Sequence, residues 1–383
     1  MHALLKLFLQ DRVDNSPASR RQSRAIEIAR VLCILGMVYA HAWTGRTTAY
    51  IVHHSATDQG MLRWFVVELI GRSSVPLLGM VSGWLVASSA LKRPYWTFVR
   101  GKMRTVLAPM LIWNILSVVL VCGAVYLHLI RGILPRDWWW VAREVTAWDG
   151  FNEINVQMPF LRDLFVCMIL APLFIRLRNG WLILLTLTVL VWTVATWWFP
   201  LILRPQVALF FLTGMCARRW GWAGWIERMP LLYAALPFVA LAPVKFALSV
   251  WGYWFGREEI EIVTGVEVAM RIAAAMLMWR IATALVDRPI AGPIMRIEPY
   301  AFLLFCSHEI MIWLAAQKIG EWSGPLDAPG YPIFFLAHPA LVLLATLALG
   351  KLLERFAPWA ADWLSGGRLR GERRAKVHTA LAA

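Results

Sequence analysis

Two residues that can do chemistry share one apolar stretch near the start of the chain. Arg30 and His41 are separated by ten residues. In an α-helix they would lie about 16 Å apart along the axis and within about 20° of the same face. Ionisable groups inside a membrane helix cost free energy, so the pair predicts a functional site. The alternatives are a structural histidine and an interfacial arginine that pairs with Glu27.

Three cations, Arg100, Lys102 and Arg104, precede an apolar segment that contains Pro109. Lysine and arginine side chains in such a cluster suit a polyphosphate. The same cluster would also mark the cytoplasmic end of a membrane helix under the positive-inside rule. From the residues alone, both interpretations stay open.

Polar side chains recur in two later apolar segments. Ser82 precedes Gly83, and such a small pair allows either close helix packing or room for a ligand. Arg162 and Asp163 cannot face each other on one helix because they are adjacent. Each therefore needs another partner, and a polar cavity would supply one.

His308 and Glu309 form a second pair inside an apolar segment, which fits either a site or a hydrogen bond between helices. The chain has no Walker loop, dinucleotide fingerprint or HExxH motif, and the pair His53–His54 lacks further ligands at metal spacing. We therefore predict no metal site. The five cysteines lie in apolar segments without a CxxC pair, which predicts reduced packing residues.

Composition indicates the elements that must position these residues. The 383-residue chain is 60% hydrophobic and only 16% charged, with a mean hydropathy of +0.59. Its apolar runs are about 20 residues long and do not alternate, which predicts an all-α polytopic membrane protein and excludes a β-barrel. The net charge of +15 would suggest nucleic acid in a soluble protein. Here topology explains much of it, and a cytoplasmic nucleotide or coenzyme could use the same charge.

Ten apolar spans can be marked, with basic residues concentrated in alternate connections. This pattern places both termini in the cytoplasm. We predict a cytoplasmic segment at 1–24, one membrane domain at 25–357 and a basic tail at 358–383 that is disordered at its end. The spans are 25–44, 64–90, 105–130, 157–176, 180–199, 205–220, 230–250, 265–286, 297–316 and 332–357.

Taken in order, these residues resemble the motifs of the membrane acyltransferase-3 family. The family opens on an arginine, ten residues and a histidine, and later carries a Phe-Phe-x-x-Ser-Gly pattern, a basic stretch before a proline, a Trp-Phe-Leu-x-x-Leu segment and a late Tyr-x-x-His. The matching segments here are Arg30 to His41, Leu77-Leu-Gly-Met-Val-Ser-Gly83, Lys102-Met-Arg104 before Pro109, Pro159-Phe-Leu-Arg-Asp-Leu164 and Phe305-Cys-Ser-His308.

The resemblance implies a ten-helix enzyme of the bacterial inner membrane. It would move an acyl group, commonly acetyl, from acyl-CoA to a hydroxyl of a surface or exported carbohydrate, such as an exopolysaccharide or its lipid-linked precursor. His41 would act as base or carry the acyl group briefly, with Arg30 assisting. The coenzyme would be bound by Arg100, Lys102 and Arg104, and the carbohydrate acceptor by Arg162, Asp163, His308 and Ser82.

Further implied partners are polysaccharide assembly proteins or a second copy of the chain, and no nucleic acid. Two other classes stay open from the residues. Buried histidine, arginine and aspartate also suit a proton-coupled transporter or a glycolipid flippase. A structural subunit of an exopolysaccharide assembly would tolerate the loss of both Arg30 and His41.

Overall fold

The computed structural model describes residues 20–197, 199, 201–251 and 260–369, and within these ranges it contains helices and no strand. The predicted segment 1–24 is described only from residue 20, and the tail only as far as residue 369. The basic residues Arg370, Arg373, Arg374 and Lys376 therefore lie outside the described residues, as does the predicted disorder at the end of the tail.

Every predicted span overlaps a long helix in the described part of the chain. We label these helices α1 (Arg20–Ala40), α2 (Asp58–Ala87), α3 (Tyr95–Tyr126), α4 (Met158–Arg176), α5 (Asn179–Val194), α6 (Pro205–Arg219), α7 (Leu231–Trp251), α8 (Ile260–Leu285), α9 (Ala291–Ser323) and α10 (Tyr331–Phe356). Short helices span Thr48–His53, Trp138–Thr146, Trp222–Arg228 and Pro358–Leu364.

Seven of these helices are long and apolar enough to cross a membrane, namely α2, α3, α4, α7, α8, α9 and α10. Helix α5 is apolar but shorter. The chain is therefore a multi-pass membrane protein, while the number of ten spans and the cytoplasmic termini stay predictions. Helices α2, α3 and α9 contain π-helical turns at Phe65–Arg72, Met103–Leu107, Val118–Cys122 and Ile312–Ala316.

The described chain divides into two compact units. The first unit contains the described residues within 20–29, 72–102 and 163–291, and the second contains those within 30–71, 103–162 and 292–369. The start of the predicted tail belongs to the second unit, where Pro358–Leu364 is helical and the indole of Trp113 donates to the Leu364 carbonyl at 3.0 Å.

In the first unit, helices α2 and α6 approach closely at two glycines. A Cβ atom at Gly83 would collide with the Phe211 carbonyl, and one at Gly214 would collide with the Met80 carbonyl. Contacts of this kind between small residues let helix backbones meet in a membrane. The packing interpretation of the Ser82–Gly83 pair therefore fits the first unit.

In the second unit, the segment after α1 is fixed to the connection between α9 and α10. The Leu326 amide donates to the Thr44 carbonyl at 2.9 Å. The Trp43 ring packs directly against Gly320, where a Cβ atom would collide with it. Helix α1 ends at Ala40, and the His41 amide turns back to the Val38 carbonyl at 3.2 Å. The predicted helix to residue 44 is thus too long, because the chain leaves the helix to make these contacts.

Replacing Gly214 with alanine should destabilise the first unit, because the added methyl would push α2 and α6 apart. Overpacking costs typically about 1–3 kcal/mol. We expect a lower melting temperature and a smaller monodisperse fraction in detergent. Gly123→Ala in α3 is the matched control, since a Cβ there meets nothing within 4 Å. Equal melting of the two variants would contradict the packing described.

Candidate active site

The centre of the second unit is a hydrogen bond between the end of α1 and the middle of α9. Nδ1 of His41 lies 2.6 Å from Oε1 of Glu309. The His41 side chain is 22% exposed and that of Glu309 only 7%. A substrate can therefore reach the histidine, whereas the carboxylate is enclosed and contacts the histidine from the protein interior.

This geometry leaves the other His41 nitrogen available for proton transfer. A carboxylate beside Nδ1 accepts the Nδ1–H hydrogen bond, so the neutral ring carries its lone pair on Nε2. Carboxylate–histidine pairs use this arrangement to orient a general base and to stabilise the imidazolium that forms. The pair is thus able to take a proton from a hydroxyl group.

A second histidine lies against the pair. The ring centroids of His41 and His308 are 5.3 Å apart, and His308 is fully buried. Nδ1 of His308 lies 3.1 Å from the Leu304 carbonyl oxygen and 2.9 Å from that of Phe305. A ring nitrogen between two carbonyls must carry the proton, so we assign Nε2 of His308 as a hydrogen-bond acceptor. The structure therefore brings two of the predicted site residues together.

The same three residues have a spacing that could hold a cation. One atom each from His41, His308 and Glu309 lies within 4.8 Å of the others. Two histidines and a glutamate form a donor set that zinc uses in catalytic sites. The predicted absence of a metal stays a prediction.

Arg30 makes a second contact between the same two helices. Its Nη1 lies 3.1 Å from Oε1 of Glu298 on α9. The same number of residues separates Arg30 from His41 and Glu298 from Glu309, so α1 and α9 run side by side in the same direction. The sequence suggested Glu27 as a partner for Arg30, but the ion pair that the structure shows for it is with Glu298 on another helix.

Two further arginines lie near this end of the second unit. Arg104 pairs with Asp362 at 2.7 Å, and Arg368 donates to the carbonyl of Thr105 at 3.4 Å. The Arg368 guanidinium also stacks on a ring, with 3.7 Å from its central carbon to the Phe302 centroid.

Arg368 stays exposed to solvent despite these contacts, and a guanidinium in such a position is charged at neutral pH. Phe302 lies one turn of α9 after Glu298, the partner of Arg30, so Arg368 and Arg30 lie near the same part of α9. Arg30, Arg104 and Arg368 form what we call the arginine cluster.

The other predicted coenzyme ligands belong to the first unit. Arg100 is exposed at the end of the first section of α3, and the Lys102 ammonium lies 5.4 Å from the Phe98 ring centroid. Their predicted role in binding a coenzyme stays a prediction.

Asp163 has a clear local role in the first unit. It is fully buried and accepts hydrogen bonds from the backbone amides of Leu203 at 3.4 Å and Arg204 at 2.8 Å. These amides lead into α6, and amides at a helix start have no partner within the helix. Asp163 therefore anchors the start of α6, which is an alternative to the predicted contact with an acyl acceptor.

Two further predicted acceptor ligands are placed as follows. The Ser82 hydroxyl donates to the Leu78 carbonyl of its own helix at 2.8 Å, in the first unit. Arg162 is half-buried on α4 in the second unit.

The sequence gives no site role to two buried residues near His41, namely His338 and Gln157. It pairs Glu309 with His308, whereas the contact of Glu309 with His41 on another helix cannot be read from spacing. His338 on α10 is 2% exposed, and its ring packs on Phe334, which contacts Trp43 just after His41. Gln157 is 5% exposed and donates to the Phe305 carbonyl at 3.3 Å. A histidine followed by Pro339 inside an apolar span was the available signal for His338.

A multi-pass helical chain with a reachable histidine on a buried carboxylate fits a membrane enzyme. A family described as "Acyltransferase domain" matches residues 23–353, and the chain belongs to this acyltransferase-3 family, as its motifs had suggested. It is therefore an acyltransferase, which favours the enzyme over the transport and structural alternatives.

The chain is also similar to a particular protein, the "Succinoglycan biosynthesis protein ExoH" of Rhizobium meliloti (strain 1021). The two are 27% identical over 369 residues, which cover 92% of this chain and 94% of that protein. No solved structure matches the chain.

Substitutions at Asp163 should separate its local role from a role in substrate binding. Asp163→Ala leaves two amides without their acceptor, so we expect lower thermal stability, because an unpaired buried group costs about 1–3 kcal/mol. Asp163→Asn keeps an acceptor oxygen and should retain most of the stability and turnover. The measurements are melting curves in detergent and acyl transfer by the folded fraction. An Asp163→Asn variant that melts like wild type but loses turnover would show a direct role instead.

Proposed function

We propose that the protein transfers an acyl group, acetyl in the simplest case, from acyl-CoA to a carbohydrate hydroxyl. The acceptor would be an exported polysaccharide or its lipid-linked precursor, at the bacterial inner membrane. The observation that carries the proposal is the His41–Glu309 pair, a reachable base on a buried carboxylate. Family membership and the similarity to a protein of succinoglycan biosynthesis support the acyl transfer and the carbohydrate acceptor.

The chemical step balances with His41 as the general base. Nε2 takes the proton of the acceptor hydroxyl while the hydroxyl oxygen attacks the thioester carbonyl. The C–S bond then breaks, the acyl group remains on the acceptor oxygen, and the imidazolium returns the proton to the departing thiolate. Glu309 stabilises the imidazolium between these events. A brief acyl-imidazole intermediate would use the same unprotonated Nε2 as nucleophile.

The arginine cluster supports the choice of an acyl-CoA donor. Coenzyme A carries several phosphate charges, and guanidinium groups bind phosphate through paired hydrogen bonds. Arg30, Arg104 and Arg368 belong to one unit with His41, and Arg30 lies on α1, which ends one residue before His41. Glu298 pairs with Arg30 and Asp362 with Arg104, so the phosphates would replace these carboxylates as partners of the two guanidiniums.

Transport is the competing class, because buried histidine and glutamate residues also form proton relays in membrane carriers. Only the enzyme needs an acyl donor, so binding of acetyl-CoA distinguishes the two classes. Purified protein should bind labelled acetyl-CoA saturably if it is the proposed enzyme. Movement of a glycolipid across vesicles without any acetyl-CoA binding would instead support a flippase. An assembly with polysaccharide biosynthesis proteins or a second copy is part of the proposal and needs its own test.

Removing the base should nearly abolish acylation. We expect His41→Ala and Glu309→Gln each to lower turnover by about 10²–10⁴, which is the usual contribution of a general base. The measurement is transfer of labelled acetyl to isolated polysaccharide by membranes with equal amounts of inserted protein. His128→Asn is the control, since His128 is exposed outside the long helices. Normal acylation by correctly inserted His41→Ala would refute the mechanism.

Removing one charge from the arginine cluster should weaken the binding of the acyl donor and leave the chemical step unchanged. Arg104→Gln and Arg368→Gln should each raise the KM for acetyl-CoA about tenfold with little change in kcat, because one charged hydrogen bond is worth roughly that factor. Arg355→Gln is the matched control, an exposed arginine at the end of α10. If Arg355→Gln raises KM as much as the cluster variants, the effect is general electrostatics and the assignment fails.

A further inference from the structure

Three buried polar atoms around the His41–Glu309 pair have no hydrogen-bond partner among the described residues. They are Nε2 of His308, Nε2 of His338 and Oε1 of Gln157. The residues are 0%, 2% and 5% exposed, respectively, and all belong to the second unit. Buried polar atoms of folded proteins are nearly always paired, so three exceptions beside one functional pair require an explanation.

His308 and Gln157 are adjacent because they share one backbone acceptor. Nδ1 of His308 and Nε2 of Gln157 both donate to the Phe305 carbonyl, at 2.9 Å and 3.3 Å. The Gln157 amide also donates to Oδ1 of Asn155 at 2.6 Å. Both donor ends are thus committed to the protein, and the free ends, Nε2 of His308 and Oε1 of Gln157, are hydrogen-bond acceptors.

Gln157 is held in this position by the segment before α4. The fully buried Glu144 accepts the backbone amides of Glu153 at 2.7 Å and Ile154 at 3.2 Å. Asn155 donates in turn to Oδ1 of Asn114 at 3.1 Å. A side chain fixed by this network is suited to selecting a ligand group by position.

His338 supplies the third atom from α10. Its ring meets the Phe334 ring edge to face at 5.4 Å between centroids, and the Phe334 ring lies 6.0 Å from the ring of Trp43, two residues after His41. A hydroxyl group both donates and accepts, so it can pair with either protonation state of a histidine nitrogen. Aliphatic groups of a ligand cannot satisfy any of these three atoms.

We propose that His308, His338 and Gln157 form a hydroxyl-binding wall that holds two or more hydroxyls of a sugar acceptor beside His41. This inference rests on the proposed function and adds the residues that select the acceptor. Such a wall explains why three unpaired polar atoms are retained although each one destabilises the fold. It would also reject acceptors that lack one hydroxyl, because the matching polar atom would stay unpaired.

The test uses purified full-length protein, acetyl-CoA, and methyl glucoside and methyl galactoside with their monodeoxy analogues as acceptors. Wild type should prefer at least one glycoside over its deoxy analogue by about 100-fold or more in kcat/KM. His338→Leu and Gln157→Met should reduce this preference to less than about tenfold, through KM and with little change in kcat. His338→Leu should also melt no lower than wild type, because it removes an unpaired buried group.

Thr346→Val is the matched control on the same helix. Thr346 is fully buried, and its hydroxyl has partners in Ser307 at 3.4 Å and Met311 at 3.5 Å. This variant should keep the preference for the glycoside. An unchanged preference in both wall variants, or a loss in Thr346→Val as well, would overturn the inference.

Binding without the donor separates this inference from the proposed function. Saturation-transfer NMR should detect the glycosides bound to wild type and weaker binding to His338→Leu. If that binding pattern holds but no acetyl transfer occurs with any acceptor, the proposed function fails and the wall stands. Absence of glycoside binding to wild type would overturn the wall. So would a stoichiometric transition metal in purified wild type that is lost in His308→Gln, because the ring nitrogen would then be a metal ligand.

Discussion

The hydrogen bond between His41 and Glu309 is the contact on which the second unit depends. A buried carboxylate in a membrane helix is costly unless a partner meets it at close range. The rest of the unit brings that partner into place. Helix α1 stops at Ala40, Trp43 packs against Gly320, and the Leu326 amide fixes Thr44. These contacts make the end of α1 a rigid support for one imidazole.

Helices α1 and α9 are joined by two pairs of side chains. Arg30 pairs with Glu298, and eleven residues further along each chain segment His41 pairs with Glu309. Such a parallel arrangement gives the unit a cationic end, where Arg104 and Arg368 also lie, and an enclosed polar centre. An anionic donor is bound best by positively charged side chains, whereas a hydroxylated acceptor is bound by neutral hydrogen-bonding groups. In the proposed function, the arginine cluster would bind the anionic donor and the hydroxyl-binding wall the acceptor, at separate places in one unit.

Local sequence was enough to find α1 with Arg30 and His41, and each of the marked spans overlaps a helix. Those features depend on runs of apolar residues and on spacing along one chain segment. The partner of His41 was beyond such arguments, because Glu309 lies far along the chain and only packing brings it near. Asp163 shows a related limit: its predicted contact with a substrate stays a prediction, and only the structure reveals that it anchors the start of α6. Arg368 belongs by sequence to the predicted basic tail, and only the structure shows that its guanidinium packs on Phe302.

The protonation of His41 tests the account most directly, because every proposed step needs an unprotonated Nε2 opposite the Glu309 contact. Solid-state NMR of ¹⁵N-histidine-labelled protein in bilayers can measure it, with the His41 signals assigned from a His41→Asn spectrum. We expect the Nδ1–H tautomer at neutral pH in wild type and a loss of that preference in Glu309→Gln. A His41 ring protonated on Nε2 alone, with Nδ1 bare beside Glu309, would contradict the account.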